Sequence, residues 1–246
     1  MNSLDDLKKF FDDNPRFALA FSGGTDSAFL MHAARKYGAD IRCYSVFSEF
    51  QPQFELDDVL RLDPDAVIIR AEVLSDPKIR ENSPLRCYHC KMRVFSLIKS
   101  RAEADGFDMV CDGTNASDSF DDRPGMKALA ELGIRSPLRE CGLTKAEIRA
   151  YSADEGLFTA DKPSYSCLAT RIPSGTAITA AALERIEDGE TSLFGLGFSD
   201  FRLRLRGDHF SLELLPEQTE AARAIFDTLT ARLGPLELTL SLRRRE

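Results

Sequence analysis

The sequence predicts an α/β fold, a doubly wound parallel sheet followed by a small α+β domain. Three observations predict it. Short apolar runs alternate with segments of helical spacing through the first two thirds of the chain. The turns that end those runs are rich in Gly, Ser and Asp, as at the carboxyl ends of buried strands. After Pro173-Ser174-Gly175 the pattern changes to a hairpin flanked by helices.

Taken in order, Leu4 to Asp13 has Leu4, Leu7, Phe10 and Phe11 on one helical face. Phe17 to Phe21 is an apolar strand, and Asp26 to Tyr37 a helix closed by Gly38. Ile41 to Phe47 reads as the second strand, Phe54 to Leu62 as a helix, and Ala66 to Ile69 as a buried strand. Cys90 to Ala104 carries helical spacing through Val94, Phe95, Leu97 and Ile98, and Gly106 ends it. Asp108 to Cys111 is a short strand that runs into Asp112-Gly113-Thr114-Asn115. Helices follow at Pro124 to Leu132 and Thr144 to Glu155, stopped by Gly133 and Gly156. Ser22-Gly23-Gly24, Ser45 to Glu49 and Asp112-Gly113-Thr114 all fall beyond strand ends, so three polar turns should converge on one crevice. A division near residue 173 separates an expected domain 1–173 from a unit 174–246. In the latter, Ala180 to Leu193 is a helix, and Phe201 to Arg206 pairs with Phe210 to Leu214 about Gly207-Asp208. A helix from Pro216 to Leu233 and a strand from Leu236 to Leu242 complete it.

With 246 residues, 43% hydrophobic and 29% charged, the composition is that of a soluble globular protein of one or two domains. The net charge of −8 argues against nucleic acid as a partner, because phosphate neutralisation drives such binding. Arg243-Arg244-Arg245 reads as a solvated tail. No apolar run is long enough to cross a bilayer, and Met1-Asn2-Ser3-Leu4-Asp5-Asp6 has no signal-peptide core. A cytoplasmic protein is expected. Its six cysteines then read as thiols, metal ligands or catalysts and not as a disulfide scaffold.

The most informative stretch is Phe17-Ala-Leu-Ala-Phe-Ser22-Gly23-Gly24-Thr25-Asp26-Ser27. A strand ends in a turn with two glycines, and a helix begins. The backbone N–H groups of such a turn point at one spot, and the helix start adds partial positive charge. The hydroxyls of Ser22, Thr25 and Ser27 can donate to the same anion. That is a phosphate cradle. It lacks the lysine of the nucleotide-triphosphatase loop and the third glycine of the dinucleotide fingerprint.

Cys87 and Cys90 form a C-x-x-C pair at an expected loop-to-helix junction, and Cys167 stands in a prolyl loop near Arg171. Four roles stay open for the three thiols: a redox pair, a structural zinc site one ligand short, a [4Fe–4S] cluster with one open iron, or unrelated side chains. His89 is awkwardly placed to complete a zinc site. Cys43 and Cys111 are most simply small core residues, and Cys141 lies in a turn.

Together, SGGTDS, the segment around Cys87-Tyr88-His89-Cys90-Lys91, DGTNASD with the following DDRPG, GIRSPL, GLTKAEIR and DKPSYSCLATRIPSG resemble the LarE family of ATP-dependent sulfur transferases, within the PP-loop pyrophosphatase superfamily. The first motif marks only the superfamily; the later ones narrow it, and the resemblance spans nearly the whole chain. It implies an adenine nucleotide alpha hydrolase-like fold and maturation of the nickel-pincer cofactor of lactate racemase. A pyridinium-3,5-dicarboxylate mononucleotide would be adenylated on a carboxylate, and sulfur would displace AMP, twice. Family members take the sulfur either from one sacrificed Cys or from a sulfide carried by a [4Fe–4S] cluster on three cysteines. With all three present, this chain resembles the cluster-bearing kind. Cys167 matches the sacrificed residue of the other kind.

The same resemblance implies that Ser22, Gly23, Gly24, Asp26, Ser27 and Ser48 hold ATP, with Asp26 near Mg²⁺. Lys91, Asp112, Gly113 and Arg123 would line the crevice. Asp118, Asp121 and Asp122 fit turn chemistry as well as metal binding. Glu190 is implied as a catalytic residue, and Arg202, Arg204 and Glu213 as substrate-binding residues. The two arginines alternate onto one strand face, where they could grip a phosphate, although Arg206 continues the row as an exposed polar face would. A sulfide or persulfide donor, no nucleic acid, no membrane and a homo-oligomer complete the expected partners. A tRNA-thiolating relative, an amide-forming synthetase and a regulator without turnover are the competing readings.

Overall fold

The computed structural model describes residues 3–118 and 124–240. In chain order the elements are α1 (Ser3–Asp13), β1 (Arg16–Ala20), α2 (Thr25–Lys36), β2 (Asp40–Ser48), α3 (Gln53–Leu62), β3 (Val67–Ala71), α4 (Pro77–Arg80), α5 (Arg86–Ala104), β4 (Val110–Cys111), α6 (Pro124–Glu131), α7 (Pro137–Glu140), α8 (Lys145–Asp154), α9 (Ala180–Gly195), β5 (Arg202–Arg206), β6 (His209–Leu214), α10 (Pro216–Ala224), α11 (Phe226–Leu233) and β7 (Leu236–Leu240). Two compact units result, one of Met1–Val73 with Leu85–Lys162 and one of Leu74–Pro84 with Pro163–Glu246. Residue 173, where the sequence pattern changes, falls inside the second.

The first unit is built on a four-stranded parallel sheet in the order β3-β2-β1-β4. The chain steps outward from β1 through β2 to β3, then returns through α5 to place β4 on the other side of β1. The direction of winding therefore reverses between β1 and β4, which leaves a crevice beyond their carboxyl ends. This is a Rossmann-like arrangement. Alternate residues of β1 serve opposite faces of the sheet. Phe17 and Leu19 enter one core with α1, α2 and α8, while Ala18 enters another with Ile98 and Ala102 of α5. Both faces are thus covered, and a five-residue strand can be buried throughout its middle. An aromatic group anchors the first core: the rings of Phe10 and Phe11 lie 6.3 and 6.1 Å from that of Phe17, the latter stacked. Cys43 and Cys111 are 1% and 0% exposed in this core, as expected of small apolar residues. Burial pushes both thiols well above the ordinary range.

The second unit carries a three-stranded sheet, β5-β6-β7, with the first pair antiparallel and the second parallel. Gly207 adopts φ 63° in the two-residue turn joining Arg206 to His209, so the expected hairpin forms. α9 packs against β5, and Gly189 makes this possible: a Cβ there would stand 2.5 Å from Leu203 Cδ2. The segment Leu74–Pro84 belongs with this unit through the buried Asn82, whose amide donates to the Pro173 carbonyl at 2.8 Å. The Asn82 carbonyl in turn accepts from the Gly175 N–H, also at 2.8 Å.

Three elements differ from the sequence expectation. α5 begins at Arg86 and not at Cys90, so the C-x-x-C pair lies inside the helix, one turn apart on one face. The single helix expected over Pro216 to Leu233 is two, because Ile225 leaves helical geometry at φ −117° and ψ 22°. Only Ala222 of α10 is buried, so little packing opposes the break, and the restart buries Leu229 and Leu233. The strand expected over Asp108 to Cys111 pairs only at Val110 and Cys111, opposite Ala18 and Leu19. α4 and α7 are single turns begun by proline, too short for a periodic signal. Asp121, Asp122, Arg123, Leu242 and the Arg243-Arg244-Arg245 ending lie outside the described residues.

Replacing Phe17 with Ala removes the ring on which Phe10 and Phe11 close. We expect a loss of about 3–5 kcal/mol in urea unfolding. A loss below about 1 kcal/mol would mean that the aromatic group does not anchor this face.

Candidate active site

The crevice of the first unit is made by two loops that meet at the start of α2. Gly23 holds φ 69°, and a Cβ there would come within 3.0 Å of Val59 Cγ2 and 3.2 Å of Val59 N. Conformation and space both require glycine at this position. Opposite it, a Cβ on Gly113 would stand 2.9 Å from Ser27 N, so the loop after β4 lies backbone against backbone on the first turn of α2. Ser22, Gly24, Asp26 and Ser27 line one cavity of about 230 Å³ with Asp112, Gly113, Thr114 and Asp118. The Ser22 and Ser27 hydroxyls stand 3.1 Å apart at its floor. A second cavity of about 170 Å³ shares Ala20, Ser22 and Phe95 with the first and is walled by Phe21, Val46, Leu56, Val59 and Val94. A polar cup thus adjoins an apolar slot.

Some expected residues take other work. Thr25 is 5% exposed and donates to the Thr159 carbonyl at 2.8 Å, so its hydroxyl turns away from the cradle. Ser48 closes the turn after β2 by donating to Gln51 Oε1 at 2.7 Å, and it is not among the residues that line either cavity. The stem of Lys91 packs at Gly125 of α6, where a Cβ would meet Lys91 Cδ at 2.9 Å. Asp112 accepts from the hydroxyls of Thr114 at 2.6 Å and Ser136 at 2.7 Å, which fixes the loop that carries Gly113. Two lysines that motif reading gave no role stand close by. Lys162 donates to the Gly23 carbonyl at 3.1 Å and pairs with Asp58 at 2.7 Å. Lys145 donates to both oxygens of Asp26, at 2.8 and 2.9 Å. Their signal was the motif itself, GLTK for one and DKPSYSC for the other; neither spacing names the partner.

The second unit gathers Glu190, Arg202, Arg204 and Glu213 around the loop that carries Cys167. Arg171, wholly buried, donates from Nε and a terminal nitrogen to the two oxygens of Glu190 at 2.8 and 3.2 Å. Tyr165 O–H and the Leu203 N–H also donate to that carboxylate. Burial works against the guanidinium charge, and the bonds to Glu190 more than offset this and hold its pKa above the usual value. Arg171 further donates to the Ser166 carbonyl at 2.9 Å and lies 4.5 Å over the Tyr165 ring. Arg202 reaches the Ser164 carbonyl at 3.0 Å. Arg204 bonds Glu213 and the Thr170 carbonyl, the latter at 3.0 Å. Three arginines therefore hold the carbonyls on both sides of Cys167.

None of the six cysteines forms a disulfide. Cys87 is exposed, with an Arg86 nitrogen 3.4 Å from its sulfur, and Cys90 and Cys167 are half-buried. Cys141, half-buried beside Asp6 and Glu140, has its thiol pushed up to about 11, mainly by burial. As a donor set, Cys87, Cys90 and Cys167 suit an iron–sulfur cluster in kind. Neither unit contains all three, and among the described residues no group of three or more His, Cys, Asp or Glu side chains is gathered as a metal site. Among the described residues, too, no helix is long and apolar enough to cross a membrane.

Fold and crevice define an α/β protein with a glycine-built anion cradle at the switch point of its sheet. No family profile matches the chain. It is 31% identical over 240 residues to the pyridinium-3,5-bisthiocarboxylic acid mononucleotide synthase of Lactiplantibacillus plantarum, covering 94% of this chain and 87% of that protein. It is also 33% identical over 224 residues to an uncharacterized protein of Synechocystis sp., covering 89% and 84%. A third relative, an uncharacterized protein of Methanocaldococcus jannaschii, is 27% identical over 221 residues, covering 90% and 84%. The chain belongs to the LarE family, that of the pyridinium-3,5-bisthiocarboxylic acid mononucleotide synthases.

Replacing Glu190 with Ala leaves Arg171 buried without its counter-ion. Stability should fall by about 3–5 kcal/mol in denaturant unfolding. Unchanged stability would mean that the carboxylate serves chemistry alone and not the architecture of the Cys167 loop.

Proposed function

We propose that this protein is an ATP-dependent sulfur transferase that converts the carboxylates of pyridinium-3,5-dicarboxylate mononucleotide to thiocarboxylates, in the maturation of a nickel-pincer cofactor. The observation that carries the reading is the pair of adjoining cavities. The polar cup at Ser22, Gly24 and Ser27 suits phosphates, and the apolar slot beside it suits a purine. The family membership supplies the substrate class.

The chemistry follows from what a carboxylate lacks. Its carbon is a poor electrophile and its oxygen a poor leaving group. Attack by a carboxylate oxygen on the α-phosphorus of ATP breaks the bond to the bridging oxygen, and pyrophosphate leaves with that electron pair. The backbone N–H groups and hydroxyls of the cradle neutralise the charge that builds on the leaving group. The product is a mixed anhydride. A sulfur nucleophile then attacks its acyl carbon and AMP departs, leaving a thiocarboxylate. Repetition on the second carboxylate gives the bis product. Asp26 offers a hard oxygen donor of the kind that Mg²⁺ takes, and Asp118 lines the same cup. Cys87, Cys90 and Cys167 would supply three thiolates to a [4Fe–4S] cluster, and a cluster so bound has one open iron able to carry sulfide. The arginines that hold the Cys167 loop, with Glu213, form the group assigned to the substrate's own phosphate.

The two halves of the reaction separate in a Cys167→Ser variant. Pyrophosphate release dependent on the pyridinium dicarboxylate should persist, while thiocarboxylate formation falls at least ~100-fold. Pyrophosphate release that ignores the dicarboxylate would sink the adenylation reading. Protein purified without oxygen should be brown and hold ~4 iron per chain. Iron-free protein of full activity would instead make Cys167 the sulfur source, and its peptide would then lose the mass of one sulfur during turnover.

A further inference from the structure

The cradle has no lysine of its own, and the fold brings one from elsewhere in the chain. Lys145 opens α8, and its ammonium holds both oxygens of Asp26, the acidic residue in the first turn of α2. Neither partner is loose: the side chains are 21% and 24% exposed. The lysine's backbone is also fixed. Its N–H donates to Ser117 Oγ at 3.0 Å, and Thr144 with Glu147 forms a capping box at the start of α8. The Ala116 N–H donates to the Leu143 carbonyl at 2.8 Å. The first turn of α8 is thereby bound to the same loop whose Gly113 lies on Ser27. The neighbouring lysines are engaged differently. Lys162 is held by Asp58 and the Gly23 carbonyl, and the Lys91 ammonium lies 5.9 Å from the Phe95 ring centre.

Two cations thus have a claim on one carboxylate. An ammonium that bonds both oxygens of Asp26 excludes a divalent ion from them, and MgATP brings such an ion together with several phosphate oxygens. We propose that Lys145 is a phosphate-binding residue. It neutralises Asp26 while the cleft is empty, then passes that carboxylate to the metal and donates to the β- and γ-phosphates, the pyrophosphate that leaves. This assignment rests on the reading of the cleft as an ATP site. It gives the cradle the mobile positive charge that its own sequence omits, on a side chain long enough to change partners without moving α8.

Calorimetric titration of the full-length protein with Mg²⁺ and α,β-methylene-ATP, pyrophosphate or AMP tests it. Lys145→Met should weaken the analogue and pyrophosphate by about 10- to 100-fold, the worth of one charge-assisted hydrogen bond. AMP affinity should stay within roughly twofold, because AMP lacks the phosphates concerned. Lys145→Arg keeps the charge and should recover much of the loss. If AMP and the analogue weaken together in both variants, the lysine only holds α8 against α2 and the assignment is wrong. It is equally wrong if neither weakens. Wild-type protein that takes up no analogue and no AMP would overturn the ATP reading itself, and the assignment with it.

Discussion

The cleft depends on a contact between two main chains. Gly113 lies so near Ser27 that not even a methyl group fits between them, and Gly23 is pressed as closely on Val59 of α3. These approaches bring the ends of β1 and β4, the strands on either side of the winding reversal, within reach of one ligand. Hydrogen bonds then fix each loop in place: Asp112 ties its own turn to Ser136, and Lys162 ties Gly23 to Asp58. A site assembled from backbone needs little from side chains except that they stay out of the way. That is why the informative letters here are glycines and short hydroxyl residues.

Charge is arranged around this cup with the same economy. The helix start supplies partial positive charge at no cost in desolvation, since its N–H groups have no partner within the helix. Full charges stand one step back as pairs, Lys145 with Asp26 and Lys162 with Asp58. A bare acid at the cup would repel phosphate, and a bare lysine would attract any anion. Paired, each is nearly neutral to its surroundings until a ligand brings a competing ion. The chain can therefore be acidic overall, at −8, and still carry an anion cradle.

Much of this was legible beforehand. The strand–turn–helix at Phe17 to Ser27 carries apolar residues in series, two glycines and a helical run, and each signal is local. The buried Cys43 and Cys111 were readable for the same reason, as small residues within apolar runs. What stayed hidden depended on partners far away in the chain. Thr25 looks like a third cradle hydroxyl until Thr159, distant in sequence, takes its proton. Asp26 reads as a metal ligand, and nothing near it announces Lys145. The start of α5 was missed because Arg86 to His89 offers no apolar stripe; the helix gains its packing further along, at Ile98 and Ala102. Ile225 breaks a helix whose composition favours continuity, and only tertiary packing gives the reason.

The loop of Cys167 poses the opposite problem to the cleft. A buried arginine–carboxylate pair stabilises a fold little more than well-packed apolar groups would, because desolvating both charges offsets most of their attraction. Arg171 and Glu190 therefore call for an explanation beyond stability. Their bonds offer one. The guanidinium reaches Ser166, Thr170 and the Tyr165 ring, while the carboxylate reaches Tyr165 and the backbone of β5. Apolar side chains could fill that volume but could not grip carbonyls, and the segment around Cys167 would be left to choose among backbone conformations. A half-buried thiol that must meet an acyl carbon, or seat a cluster, cannot tolerate that freedom, since small errors of position cost large factors in rate. The ion pair is best understood as the device that sets where one sulfur atom stands.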